Sequence, residues 1–303
     1  MKTYAPIALF VYNRFSHVKK VIGAIKKNSL AKKSKIYIFS DFSKSYKDQI
    51  KINEIRRYIK KIKGFKKLKI IERKKNYGTS RNIITGLNYI FKTYEKCIVI
   101  EDDILVSKIF LHQMNYFLNK YNSNKKIASV EGYMYPVVFS NNVPEYYFLK
   151  GSGCWGWGTW KKSWKNYEGS TRKLIKKFNN NKNLIRDFNY DNSYPYYKML
   201  LKQLKTNRES WAIKWYASNF LKGNHTLYFK NSLVKNIGLD NTGVNCKIDY
   251  DINQKKFLNK KIKLIKNKLI QEDIYTKRQI SRYLKDKFKL SQKVFFLMKS
   301  FFK

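Results

Sequence analysis

The feature that most constrains the fold is a repeated alternation in the first 125 residues: a short apolar run, then apolar residues at helical spacing. Pro6 to Val11 (PIALFV) reads as a buried strand, and Val18, Val21, Ile22 and Ile25 then recur as one helical face with Ser16 as its expected N-cap. Ile36 to Phe39 is a second strand, followed by a helix carrying Ile52, Ile55, Ile59 and Ile62 that stops near Gly64. Leu68 to Ile71 is a third, followed by Ile83, Ile84, Leu87, Ile90 and Phe91. Cys97 to Ile100 is a fourth and runs directly into Glu101-Asp102-Asp103, after which Phe110, Leu111, Met114, Phe117, Leu118 and Tyr121 mark another helix. Such alternation predicts a mostly parallel sheet with helices on both faces and right-handed crossovers. Ligands of these sheets bind beyond the carboxyl ends of the strands. Asn13, Arg14, Asp41, Asn76 and the acidic triplet all fall at such ends.

The chain of 303 residues, 43% hydrophobic and 17% aromatic, can bury a large core. No stretch has the length and apolarity of a membrane span, and the opening MKTYAPIALFVYNRF lacks the h-region of a signal peptide. Cys97, Cys154 and Cys246 have no metal-ligand spacing, which suits a reducing cytoplasm. Lys and Arg number 65 against 20 Asp and Glu, a formal charge of +45. Compositional bias toward Lys, Asn, Ile, Tyr and Phe accounts for much of it, and adhesion to anionic lipid is the functional counterpart. Nucleic-acid binding is the third reading, but base-edge readout leans on bidentate arginine and lysine dominates here, so no nucleic-acid partner is expected. No P-loop is present and no GxGxxG follows the first strand, which argues against ATP-driven and dinucleotide chemistry.

Three consecutive acids after a buried strand repel one another and need compensation. A divalent cation carrying a diphosphate supplies it; hard oxygen ligands suit Mn²⁺ or Mg²⁺, with one or two carboxylates plus phosphate oxygens. The competing reading is a solvated acidic turn before the next helix. In a chain so poor in acids, the metal site is favoured.

At this point the sequence resembles a family. VYNR, IFSD, KNYGTSRNIITGL, IVIEDDILVS, GCWGWGTWKKSW, RESWAIKWYAS and SLVKNIGLDNTGVN occur in the order seen in GT-A glycosyltransferases. More narrowly, they resemble the bacterial relatives of N-acetylglucosaminyltransferase I, whose acidic motif is EDD. The likeness runs over roughly residues 5 to 245. It implies a GT-A fold: a Rossmann-like nucleotide-binding half (1–125), an acceptor and catalytic half (126–250), and a basic helical tail (251–303). It also implies a nucleoside diphosphate sugar as donor, UDP-linked by preference, and inversion at the anomeric carbon. Asp103 would be the direct metal ligand, and Glu101 and Asp102 would sit against the ribose and sugar ring. Asp41 would accept from the base, with Asn13 and Arg14 lining the nucleotide pocket. For Asp41 a helix cap or turn is the alternative, and for Arg14 a surface salt bridge.

Gly151 to Trp164 holds four tryptophans and four glycines. Glycines let the backbone approach a ligand, and tryptophan faces suit the apolar side of a sugar ring. Trp155, Gly156 and Trp157 are the sugar-facing candidates; a packed corner is the alternative. An inverting transfer needs a general base. By the family pattern it is Glu209 in RESWAIKW, where Asp is more usual, with Asp240 in GLDNTG as the second candidate. His17, His112, His225 and Cys154 carry no catalytic or metal signature.

From about Tyr250 the sequence is lysine-rich, and Lys289 to Lys303 sets Leu290, Val294, Phe295, Leu297, Met298, Phe301 and Phe302 between lysines. That composition fits a helix lying on anionic lipid, or one packed on the domain. Bacterial enzymes of the resembled kind build surface polysaccharides, such as capsule or lipopolysaccharide, on lipid-linked saccharides. This places the expected enzyme in the cytoplasm, peripheral to the inner membrane face. A non-catalytic carbohydrate- or nucleotide-binding module, a basic nucleic-acid-binding protein and a nucleotidyltransferase are the rival classes.

Overall fold

A computed structural model describes residues 4–206, 209–240, 257–262, 265 and 268–301, with side chains up to 287. The four expected strands are β1 (Ile7–Val11), β2 (Lys35–Ser40), β3 (Lys67–Glu72) and β4 (Lys96–Glu101). Between and after them run α1 (Phe15–Lys26), α2 (Tyr46–Lys60), α3 (Gly78–Ile90) and α4 (Phe110–Lys120), with a short β5 (Ile104–Val106) before α4. β6 (Ile127–Glu131), β7 (Tyr146–Lys150), β8 (Trp157–Trp160), α5 (Lys161–Trp164), α6 (Thr171–Phe178), α7 (Lys182–Phe188), α8 (Tyr196–Lys205) and α9 (Trp211–Leu221) follow. β9 (His225–Phe229), β10 (Val234–Asn236) and α10 (Ile274–Phe301) complete the order.

The large sheet has the order β3-β2-β1-β4-β8-β6-β9-β7. β3, β2, β1 and β4 are parallel, as are β6 and β9; β8 runs antiparallel to both its neighbours and β7 to β9. The fold is therefore α/β around a mostly parallel sheet. β1 shows why its sequence is apolar throughout: Ile7, Leu9 and Val11 enter the core with α1, α2 and α4, whereas Ala8 and Phe10 enter the one with α3 and α9. A strand covered on both faces has no polar side to show.

Two local expectations change. Ser16 lies inside α1, and Arg14 holds the cap position without a side-chain capping bond, because its guanidinium is drawn to the acidic triplet. The second helix stops at Lys60, so Ile62 packs from beyond its end.

A further core covers β7 and β9 with α6 to α10, and it includes Ile280 and Leu284. The first turns of α10 thus pack on the sheet, within the segment assigned by sequence to the appendage. The expected boundary at 250 and the side chains of Lys289 to Lys303 lie outside the described residues. Among the described residues no helix is long and apolar enough to cross a membrane.

Candidate active site

The parallel strands end on one edge of the sheet, and β4 delivers the acidic triplet there. Asp102 is 5% exposed; it accepts from the Tyr12 amide at 3.1 Å and from Arg14 Nη2. The same nitrogen donates to Asp103 Oδ2 at 2.8 Å. Burial works against the Arg14 charge, but Asp102 and Asp103 more than offset it. Burial, with Asp103 and Asp102 adding to it against Arg14, pushes the Glu101 carboxyl up to about 8. Asp102 and Asp103 share one guanidinium, so acidic charge is left over.

Asp103 is the more open of the Arg14-bound pair, its side chain 13% exposed against 7% for Asp102. Among the described residues no three His, Cys, Asp or Glu side chains form a metal cage. Mg²⁺ and Mn²⁺ at diphosphate sites do not need one, since phosphate oxygens and water complete the shell. Arg14 carries one positive charge against two aspartates, and the charge left on the more open Asp103 fits a single carboxylate ligand of such an ion.

β5 leaves the triplet and pairs with β10, and the Ile237 amide donates to the Asp103 carbonyl at 2.8 Å. This ribbon brings Gly238 so close that a Cβ there would lie 2.3 Å from Asp103 Oδ2 and 2.8 Å from Arg14 Nη1. Asp240, on the same turn, lies 3.2 Å from Nε2 of the buried His17, which also contacts the Ile237 carbonyl at 3.1 Å. His17, in the first turn of α1 and without a catalytic or metal signature in the sequence, thus ties α1 to the turn bearing the second base candidate.

Beyond β1, Tyr12 Oη and Asn13 Nδ2 donate to the two oxygens of Asp48, at 3.1 and 2.7 Å. Asp48 sits in the first turn of α2, which Ser45 caps, and its carboxyl is held below the usual range chiefly by Asn13. Asp41 is 4% exposed and accepts from the amides of Phe42, Tyr77 and Gly78, each at 2.9 Å. The resemblance assigns it to the base, but in the structure it braces the start of α3, with one lone pair left. Asn76 donates to the Phe42 carbonyl and closes the same turn. Arg73 packs on the Tyr77 ring at 4.7 Å and bonds Asn82 and Thr85.

The tryptophan-glycine candidates separate. Trp157 is fully buried and stacked on Trp211 at 5.5 Å, next to Trp215 and Trp164. Its ring is core, and the expectation that it faces a sugar is corrected: β8 alternation points it to the α3 and α9 face. Trp155 is half-buried and set edge-on to Tyr133 at 4.6 Å. Gly156 has φ +65°, and a Cβ there would lie 2.7 Å from Val234 Cγ1, so this glycine lets the loop pass the β5–β10 ribbon. The loop also rests on Glu131, at the end of β6, whose Oε1 accepts from the Tyr133 and Trp155 amides at 3.3 and 3.1 Å. Glu131 Oε2 is buried without a hydrogen-bond partner among the described residues, and burial pushes this carboxyl well up. The sequence reading missed Glu131, although an acid closing a strand (IASVE) was a visible signal.

Glu209 precedes α9, and its side chain is 66% exposed. Its carbonyl accepts from Ser80 Oγ at 2.6 Å, and Ser80 Oγ accepts from the Trp211 amide at 3.1 Å. Ser80 lies in the first turn of α3, so this clasp holds Glu209 toward the strand-end edge. Glu209 Oε1 takes a 3.1 Å bond from Lys214 Nζ, an ammonium only 3% exposed that the sequence did not single out.

No protein-family model matches the chain, and no curated protein matches it in sequence. Solved structures give a slight likeness. Residues 1–349 of S. aureus TarS are 12% identical over 76% of this chain and 59% of that one, with a TM-score of 0.41. In complex with UDP-GlcNAc, the same protein is 17% identical over 47% and 37%, with a TM-score of 0.32. The mannosyltransferase PcManGT from Pyrobaculum calidifontis, with GDP-Man and Mn²⁺, is 14% identical over 43% and 36%, with a TM-score of 0.31. The chain spans less than two thirds of the length of each, and likeness of this size does not extend to activity.

Proposed function

We propose that this chain is a glycosyltransferase that moves a sugar from a nucleoside diphosphate sugar, UDP-linked by preference, to a saccharide or lipid-linked saccharide. The observation that carries this reading is the Asp102–Arg14–Asp103 cluster at the end of β4, roofed by Gly238. It is an acidic site on the ligand-binding edge of a mostly parallel sheet, with charge left over for a cation.

Mn²⁺ or Mg²⁺ held by Asp103 would neutralise charge developing on the departing diphosphate. Arg14 and the Tyr12 amide hold Asp102 and fix the cluster against its own repulsion. Tyr12, Asn13 and Asp48 line the nucleotide side, and Asp41 keeps the β3–α3 turn in place beside it. Trp155 and the Gly156 loop flank the sugar. Glu209 is the general base: it takes the acceptor hydroxyl proton as that oxygen bonds to the anomeric carbon, and the anomeric C–O bond breaks with its electron pair leaving on the diphosphate. A single displacement of this kind inverts the centre. Lys214 orients the Glu209 carboxylate; Asp240, tied to His17, is the second candidate for the base. The basic C-terminal tail would bring the enzyme to an anionic membrane face where surface polysaccharide is built.

Release of UDP from a UDP-sugar in the presence of Mn²⁺ tests the reading. Wild type is expected to release it and Asp103→Asn to lose at least about a hundredfold in rate. Equal rates in the two proteins would overturn it.

A further inference from the structure

β6 runs parallel to β4, because β8 lies antiparallel between them, and Val99 and Glu131 both stand opposite Trp157. The chain leaving β6 therefore crosses the same sheet edge as the acidic triplet, and there it carries Tyr133 and Tyr135. The Trp155 ring meets Tyr133 at 4.6 Å, Tyr133 meets Tyr135 at 5.5 Å, and Tyr135 meets Tyr283 of α10 at 6.0 Å. The Tyr135 and Tyr196 hydroxyls share a 3.0 Å hydrogen bond, and Tyr196 packs on Tyr194 at 4.6 Å. A row of aromatic rings thus runs from the Gly151–Gly156 loop to the start of α8 and to α10.

Two observations set this row apart from the core beneath it. Tyr196 rests on Tyr216 and Tyr190 at 5.0 and 6.0 Å, and those two are sealed at 7% exposure each. Trp155, Tyr135, Tyr194, Tyr196 and Tyr283 are only half-buried. The turn that supplies two of them is also strained: Tyr190, Asp191 and Asn192 take φ of +51°, +53° and +61°. Left-handed backbone is costly for any residue with a Cβ, and it persists only where the surroundings hold it. Asn189 holds this turn, its carbonyl accepting from the Tyr194 amide at 3.1 Å and its Oδ1 from the Tyr197 amide at 2.8 Å. The strained turn delivers Tyr194 and Tyr196 to the row.

We infer that this row is the acceptor subsite, and that it takes a saccharide chain of several sugar units whose reactive end lies at Trp155. The inference rests on the proposed transfer from a nucleoside diphosphate sugar. A donor presents one sugar ring for Trp155 and its loop to flank, so a row that continues through four more half-buried rings suits the other substrate. Tyrosine faces pack on the apolar side of a sugar ring, and their hydroxyls reach its polar margin. Contiguous aromatic surface beside a site is binding surface, whereas single exposed rings are ordinary. Aromatic rings also anchor proteins among lipid headgroups, but those rings stand out from the surface, and these lie half within it.

Calorimetric titration of the full chain with hexamers of glucose, N-acetylglucosamine and galacturonate, each beside its dimer, tests this. The row variant is Tyr194→Ser/Tyr283→Ser, with Tyr194→Phe/Tyr283→Phe to keep the rings. Tyr46→Ser/Tyr116→Ser, at 84% and 36% exposure on α2 and α4, is the control. At least one hexamer is expected to bind wild type more tightly than its dimer. The Ser row variant should weaken that hexamer about tenfold and its dimer less than about twofold, and the Phe variant and the control should keep wild-type affinity. Where the Ser pair fails to fold, Tyr194→Ser alone is read against the same control. No binding of any hexamer, equal affinity for hexamer and dimer, or equal loss in the control would overturn the inference. Loss of binding to phosphatidylglycerol vesicles in the row variant, with hexamer affinity unchanged, would assign the rings to a membrane and overturn it too. A metal-dependent thermal shift with UDP is read separately on wild type. If it is present while the oligomer pattern fails, the row alone is overturned; if it is absent while the oligomer pattern holds, the transfer reading is overturned.

Discussion

One guanidinium nitrogen of Arg14 serves both Asp102 and, at 2.8 Å, Asp103 Oδ2, so a single cation keeps two neighbouring carboxylates together at the end of β4. Removing one partner of a largely buried ion pair leaves charge without compensation. Arg14→Ala should therefore lower unfolding free energy by about 3 kcal/mol in denaturant titrations. Adding Asp102→Ala should restore part of that loss, because the stranded acid is gone. Additive losses in the double variant would mean the two side chains are not coupled.

Gly238 makes a sharper demand. A methyl group there would lie 2.3 Å from Asp103 Oδ2, well inside any tolerated contact, so Asp103 must move. Gly238→Ala should cut UDP-sugar turnover by about a hundredfold, the scale of a misplacement near 1 Å, with little change in Tm. Unaltered turnover would remove Asp103 from the site.

Trp155 and Trp157 are two residues apart and should behave oppositely. Trp157 is sealed among Trp164, Trp211 and Trp215, and Trp157→Ala should cost about 3–5 kcal/mol of stability. Trp155→Ala should cost less than half of that and instead raise KM for the donor sugar. Denaturant midpoints and donor kinetics on the two variants check this, and a Trp155 variant with wild-type kinetics would contradict it.

Those two residues also mark where the sequence stopped being legible. In the first half, apolar spacing found β1 to β4 and α1 to α4 but not the short β5, because Ile7–Val11 and its neighbours are buried on both faces and helical faces such as Val18, Val21 and Ile25 recur at fixed intervals. The strand-end positions of Arg14, Asp41 and the acidic triplet were visible for the same reason. In the second half β8 lies between β4 and β6, and β10 returns to pair with β5 across more than a hundred residues. No local pattern encodes such pairings, so Gly238 against Asp103 and His17 against Asp240 could not be read. Nor could the orientation of Trp157, since a glycine-rich run carries no alternation. Asp48 and Glu131 were overlooked although each closes or opens an element.

Glu131 gives the pH dependence its sign. Burial holds its folded carboxyl well above the unfolded value of about 4.3, so between the two the folded chain binds more protons than the unfolded one. Its contribution to stability is greatest at low pH and falls as pH rises through that window. Glu131→Gln keeps the acceptor for the Tyr133 and Trp155 amides without a titrating proton. Urea midpoints should show the variant gaining on wild type from pH 4.5 to pH 8. A constant difference across that range would mean Glu131 is not neutral in the fold.

The central claim is a donor site built on Asp103, and thermal stability with nucleotides tests it most directly. Wild type and Asp103→Ala would be melted with UDP, GDP, dTDP or CDP, with and without Mn²⁺. A nucleotide at a hundred times its Kd adds about 2.7 kcal/mol. The account predicts stabilisation by one nucleotide, UDP first, that requires Mn²⁺ and disappears in Asp103→Ala. No stabilisation by any nucleotide, or the same stabilisation in both proteins, would contradict it.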